Sequence, residues 1–259
     1  MRHLSNTKIL ITLTSAGLFS LFCSAAQADG LSELKTSLAS LTGHGPLKAA
    51  VEVKTNSRRG EGKSLEENSG QANLAIENNA RGLQVTYSKD MLALMENEER
   101  AKEKDPKKKT PTMNAISSMN TSALRQLASA SGQLSRTIEN ATFKGEKADT
   151  LNGKPARLLS FEMSIDKLDP KEREAVKKYE GSLDVWIAAD GTPLASKSRQ
   201  HKSIRAMMVI SIEESIDVDL VYGVQGDRLV TLRKENRTSG AGMGEKGDTK
   251  TVTTLQIQP

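Results

Sequence analysis

The chain has 259 residues, a formal net charge of +5, a single cysteine and only 3% aromatic residues. One cysteine excludes a disulfide framework and a cysteine pair for a metal. The small, dispersed basic excess and the scarcity of aromatics exclude a dedicated nucleic-acid binder, which needs a basic patch or a stacking platform.

The opening residues read as an export signal. Arg2 and Lys8 supply a positive start, 9–22 is an apolar run, and Ala26-Gln27-Ala28 is an A-x-A cleavage site. An uncleaved anchor is the alternative, but the run is short and ends in small residues. Cleavage removes 1–28 and with it Cys23. The remainder, 29–259, is expected as one mildly basic domain in the periplasm, with no integral membrane span after the signal.

Leu31, Leu34, Leu38 and Leu41 recur at helical spacing and end at Thr42-Gly43, predicting a short amphipathic helix. Leu47, Ala49, Val51 and Val53 alternate with polar residues as a first strand, with 57–62 as its hairpin loop. Ala72, Leu74 and Ile76 mark a second strand, 78–82 a turn, and Leu83, Val85 and Tyr87 a third. The pattern then turns helical, predicting an insertion over about 89–138. Met91, Leu92, Leu94 and Met95 open it, and the lysine-rich segment 102–112 interrupts it as a mobile linker or hairpin. Leu124, Leu127, Leu134 and Ile138 mark one side of a second helix over 120–138, with Gly132 weakening its middle.

Strands resume at 141–147, and Asn152-Gly153 is a hairpin signal. Leu159, Phe161, Met163 and Ile165 alternate as a strand. Asp169-Pro170 opens a short charged helix to about Tyr179. Leu183, Val185 and Ile187 form the next strand, and Asp190-Gly191 turns it into 194–203, a weak strand polar on both faces.

The segment from Met207 to Val224 organises the rest. Met208, Ile210, Ile212, Ile216, Val218, Leu220, Tyr222 and Val224 share one face, while Ser211, Glu213, Ser215, Asp217 and Asp219 share the other. This is the period of a strand buried on one side, and a slip of one residue would invert it. So long a strand cannot run straight, and Glu214, the acid on the apolar face, places the expected bulge at 213–215. Gly226-Asp227 turns the chain into 229–237, Gly-rich 239–248 reads as a flexible loop, and 251–258 closes the sheet. The fold class is therefore α+β: a large curved antiparallel β-sheet, an incomplete barrel of about ten strands, with helices covering its concave face.

This order resembles the periplasmic lipoprotein-carrier (LolA/LolB-like) superfamily. The likeness is carried by the Leu31–Leu41 helix, the helical insertion between Tyr87 and Phe143, and L-D-V-W-I-A-A-D-G-T-P-L at 183–194. It implies a signal peptide, an incomplete antiparallel barrel and a helical lid over a lipid-binding concavity. No binding residue of the family maps onto a position of this chain.

No constellation of catalytic residues stands out. His44 and His201 have no ligand-like spacing, and the acids on the outer face of the long strand read as solvated. The glycines of 240–244 lack the lysine-hydroxyl pair of a phosphate loop, and no nucleophile elbow is present. No enzyme activity, metal or cofactor is expected. Met91, Met95, Met113 and Met119 concentrate in the insertion; methionine adapts to irregular apolar ligands, and it also fills cores. The candidate ligand-binding set is these four with Leu124, Leu127, Ile210, Ile212, Val218, Leu220 and Tyr222. Lys107, Lys108 and Lys109, in a run of five lysines around Pro106, are candidates for contact with anionic lipid headgroups, or form a solvated linker. Two functions compete: a carrier of a lipid, acyl chain or lipoprotein, and a periplasmic module that binds an envelope protein partner.

Overall fold

The computed structural model describes residues 29–206, 210–242 and 244–259. The expected signal peptide, Met207 and Met208 at the start of the long strand, and Met243 lie outside the described residues.

Among the described residues, six α-helices and ten strands follow in order: α1 (Asp29–Ser40), β1 (Leu47–Arg59), β2 (Glu66–Asn79), β3 (Gly82–Thr86), α2 (Lys89–Lys104), α3 (Pro111–Ser117), α4 (Thr121–Ala128), α5 (Ser131–Glu139), β4 (Ala141–Leu151), β5 (Lys154–Met163), α6 (Pro170–Ala175), β6 (Val176–Ile187), β7 (Pro193–Ala206), β8 (Ile210–Gln225), β9 (Arg228–Gly242) and β10 (Glu245–Ile257). All ten strands form one open, curved antiparallel sheet in the order β3-β2-β1-β10-β9-β8-β7-β6-β5-β4. The fold is α+β, as expected. Strands β3 and β4 are the two edges, so the insertion that joins them must pass from one side of the sheet to the other. That connection lays α2 to α5 across one face.

The strand register shows how that face is made. One row reads Leu159, Val185, Ser196, Leu220, Lys234, Thr253, Val53 and Ala72 across eight paired strands. Most of this row is buried: Leu159, Val185 and Val53 are at 0% exposure. Two hydrophobic clusters hold the helices on it. Leu34 and Leu38 of α1 and Leu134 and Ile138 of α5 pack on Leu159, Phe161, Leu183 and Val185. Met91 of α2, Ala115 of α3, Met119 after it, and Leu124 and Leu127 of α4 pack on Val51, Val53, Leu74, Ile76 and Leu255. Two glycines allow the closest approaches. A Cβ at Gly70 would lie 2.2 Å from the Pro111 carbonyl oxygen, so α3 sits directly on the β2 backbone. A Cβ at Gly191, in the turn before β7, would lie 2.6 Å from the Glu33 carbonyl carbon of α1.

Several expectations are corrected. The single helix over 120–138 is two, α4 and α5, and the break lies at 129–130, while Gly132 sits inside the first turn of α5. The chain is tied to β9 at the break: the Ala130 N–H donates to the Leu229 carbonyl at 2.8 Å, and Arg228 Nη1 donates to the Ala128 carbonyl at 3.1 Å. The interruption expected over 102–112 is present but shorter, an αα-connection over 105–110, and both oxygens of the Glu98 carboxylate accept N–H groups of α3, from Thr112 at 2.9 Å and Met113 at 3.0 Å. The charged helix stops at Ala175, and β6 begins at once. No bulge interrupts Glu213–Ser215: Glu214 meets Lys202 of β7 at 3.6 Å and is neutralised without leaving the ladder. The register shift in β8 lies instead between Val221 and Tyr222, opposite the extra residue Leu232 of β9. The Gly-rich 239–248 stretch is largely paired strand, not a loop. Its glycine at 242 makes room for Ile212, whose Cγ1 would be 2.8 Å from a Cβ there.

The opposite face is a lattice of charges. Glu235 is 5% exposed, within hydrogen-bonding reach of Arg233 and Arg237, and 3.0 Å from Lys250. Lys197 and Asp219 pair at 3.5 Å, and His201 bridges Ser215 and Glu213. Glu213 and Asp219 of β8 thus have local partners on this outer face.

Candidate functional site

Each cluster is centred under different helices, and a seam remains between them above β7, β8 and β9. A cavity of about 300 Å³ occupies it. Its roof is Gln126 of α4 and Gln133, Leu134 and Thr137 of α5, with Ala130 between them. Its floor is Leu183 of β6, Ser196 and Ser198 of β7, Val218, Leu220 and Tyr222 of β8, and Thr231 and Lys234 of β9. Met163 and Gln200 close the side toward the unroofed end of the sheet.

The seam follows from helix geometry. Leu124 and Leu127 of α4 belong to the β1-β2-β10 cluster, and Leu134 and Ile138 of α5 to the β5-β6 cluster. The helices diverge in what they cover, and their glutamines are left facing the gap. The floor is half greasy and half polar because β7 contributes Ser196 and Ser198 where a core strand would carry aliphatics.

Electrostatically the lining is one-sided. Among its residues only Lys234 and Tyr222 ionise. Tyr222 is 6% exposed, and burial pushes its phenol far above the ordinary range, so it stays neutral. Its hydroxyl and the Ser196 hydroxyl share a 2.7 Å hydrogen bond. Burial also pushes the Lys234 ammonium below the ordinary lysine range. Lys234 borders a second cavity of about 80 Å³, lined by Met119, Leu127, Asn236, Thr251 and Thr253 among others. There the buried Asn236 Oδ1 has no hydrogen-bond partner among the described residues.

Val218, Leu220 and Tyr222, three of the sequence-derived candidates, come together on the cavity floor. Met91, Met119, Leu124 and Leu127 are buried in the neighbouring cluster, and Met95 packs on its rim. Of these, Met119 and Leu127 touch the smaller cavity, and the Met119 sulfur accepts the Thr253 hydroxyl at 3.8 Å. Met113 is half-buried at the start of α3. Ile212 lies at the far end of β8, in a separate surface depression with Arg59 and Gly242. The Ile210 side chain lies outside the described residues. Lys107 and Lys108 are exposed between α2 and α3, and Lys109 Nζ ties that turn to β2 through the Glu67 carbonyl at 2.5 Å. His44 and His201 are not brought together: the first donates its backbone N–H to Asp227, the second sits on the outer face. No group of three or more possible metal ligands occurs among the described residues.

Sequence reasoning missed Gln126, Gln133, Ser196, Ser198, Thr231 and Lys234. One signal was present. The strand over 194–203 is polar on both faces, so whatever face the sheet buries must include those polar positions. The helix glutamines gave no such signal, because a polar residue on an amphipathic helix normally faces water.

No protein-family model matches the chain, and a search of curated proteins returns no match to its sequence.

Proposed function

We propose that this is an exported, non-enzymatic envelope protein that binds a small lipid-like ligand between α4, α5 and the sheet. The resemblance to the periplasmic lipoprotein carriers motivates the compartment and the class of ligand. The observation that carries the reading is the cavity at the seam, where Leu134, Leu183, Val218 and Leu220 line a space beneath a helical roof. Small-molecule sites are concave, mostly apolar and few per protein, and a volume of about 300 Å³ is at their lower limit. At about 30 Å³ per atom-sized group, as for a water molecule, it holds on the order of ten non-hydrogen atoms. That suits one short chain, or one end of a longer one. The exposure of Lys107 and Lys108 on the α2-α3 turn supports contact with an anionic membrane surface during loading or release. Native mass spectrometry of protein exported to the periplasm and gently purified tests the reading. A co-purifying lipid-like adduct of defined mass supports it. A ligand-free protein that also fails to bind 1-octanol in calorimetry sinks it.

A second reading, a module that holds a protein partner, has one specific observation in its favour. The row at the cavity's edge, Gln200, Ile216 and Thr238, lies on the covered face yet is only half-buried. Cross-linking in the periplasm from a photoreactive residue at Thr238 would capture such a partner. Absence of any specific adduct would remove this alternative.

A further inference from the structure

We infer that the ligand of this cavity is an amphiphile with an anionic head, a carboxylate or a phosphate, that pairs with Lys234 while its short tail lies on Leu183, Val218 and Leu220. The inference rests on the carrier reading above and adds the chemistry of the head.

Lys234 is exceptional among the cations around it. On the outer face Arg233, Arg237 and Lys250 surround Glu235, and Lys197 meets Asp219. On the covered face Lys202 has Glu172 and Glu214. Arg228 is buried and gives its hydrogen atoms to the carbonyls of Ala128 and Gly45. Lys234, by contrast, makes no ion pair or hydrogen bond among the described residues, although it is half-buried under α4. Neither cavity that it borders contains an aspartate or glutamate in its lining. An ammonium taken partly out of water and left without a counter-charge costs free energy, and burial already lowers its affinity for its proton. A carboxylate or phosphate entering the cavity would restore the missing partner with a charge-assisted hydrogen bond.

The rest of the lining fits such a head. Gln126 and Thr231 stand on the same side as Lys234, and Tyr222 and Ser196 supply a hydroxyl pair whose unused hydrogen can be donated. Leu183, Val218 and Leu220 lie on the same floor, and Leu220 is the cross-strand neighbour of Lys234, so a tail leaving a head at Lys234 meets apolar surface at once. No element packed against Lys234 brings a competing acid: α4, α5, β7 and β10 present only amides, hydroxyls and apolar groups to these cavities.

The test compares three eight-carbon probes, octanoate, octyl phosphate and 1-octanol, by calorimetry at neutral pH and moderate salt. The probes are titrated into the wild-type protein and into Lys234→Met, which keeps the stem and removes the charge. The expected result is that at least one anionic probe binds the wild type about tenfold or more tightly than 1-octanol. In the variant that advantage disappears while 1-octanol still binds, which also shows that the cavity is intact. The tighter of the two anions identifies the head. Equal binding of all three probes by the wild type, or an anion preference that survives Lys234→Met, overturns the inference and leaves the carrier reading standing. Failure of every probe to bind the wild type overturns both.

Discussion

Lys234 and Glu235 are neighbours in β9, yet they live in opposite electrostatic worlds. Glu235 looks outward, is nearly buried, and has three cations converging on one carboxylate. Lys234 looks toward the helices and has no acid within reach among the described residues. The outer face therefore spends its charges on holding strands β9 and β10 together. The covered face keeps one charge in reserve. A protein that needed Lys234 only for stability would have supplied a partner, as it did for Lys202 on the same face through Glu172 and Glu214. The contrast teaches that satisfied and unsatisfied charges in one strand separate architecture from binding.

Three substitutions sharpen or break this contrast. The largest effect is expected at Arg228, which is 3% exposed and ties the end of α4 and the turn before β1 to β9. Arg228→Ala leaves the Ala128 and Gly45 carbonyls without a donor and should lose about 3 kcal/mol in urea unfolding. An unchanged midpoint would show that buried cations here are dispensable, and the contrast would lose its meaning.

Next comes Glu235. Its partners, Lys250 foremost and then Arg233 and Arg237, hold its carboxyl down to about 2, well below the ordinary glutamate range. A depressed acid stabilises the folded state fully above its unfolded value, near 4.3, and that contribution fades as pH falls toward about 2. Glu235→Gln should cost about 2 kcal/mol at pH 7 and progressively less as the pH is lowered through that window. Parallel pH-stability curves for the two proteins would mean that the cluster is no stronger than an ordinary surface pair.

The smallest effect, and the one of opposite sign, belongs to Lys234→Met. Burial lowers the lysine's proton affinity in the folded state, so the unpaired charge costs stability at neutral pH. That cost is relieved as pH rises toward the ordinary lysine value of about 10.4. The variant should match or exceed the wild type by up to about 1 kcal/mol at pH 7, with the gap closing in alkali. A clear destabilisation at pH 7 would reveal a structural role for the ammonium.

Much of the framework was legible from residue order alone. The alternation in 210–222, the Asn152-Gly153 and Asp190-Gly191 turns and the leucines of 31–41 carry local rules that the tertiary structure obeys, whereas Val224, expected on the buried face, is exposed beyond the register shift at Val221. Failures came where a distant contact decides. The break between α4 and α5 is fixed by Arg228 and by the Leu229 carbonyl, both about a hundred residues away in the chain. Glu214 stays in the ladder because Lys202 faces it across β7, which no local pattern announces. The site was half visible. Val218, Leu220 and Tyr222 follow from periodicity, whereas the glutamines of α4 and α5 become lining only because the two helices serve different clusters. The methionines drew attention by their density, but Met91 and Met119 fill the interior beside β1 and β2.

The place of β10 sets the order in which the molecule can assemble. It lies between β1 and β9, although it follows every other strand along the chain. Until residues 245–257 have been translated and docked, the β1-β2-β3 block and the β4-to-β9 block are separate rafts, each with a long bare edge. Zipping the two together is a late, non-local event and is expected to be slow. That delay makes the incomplete product the species most prone to aggregate.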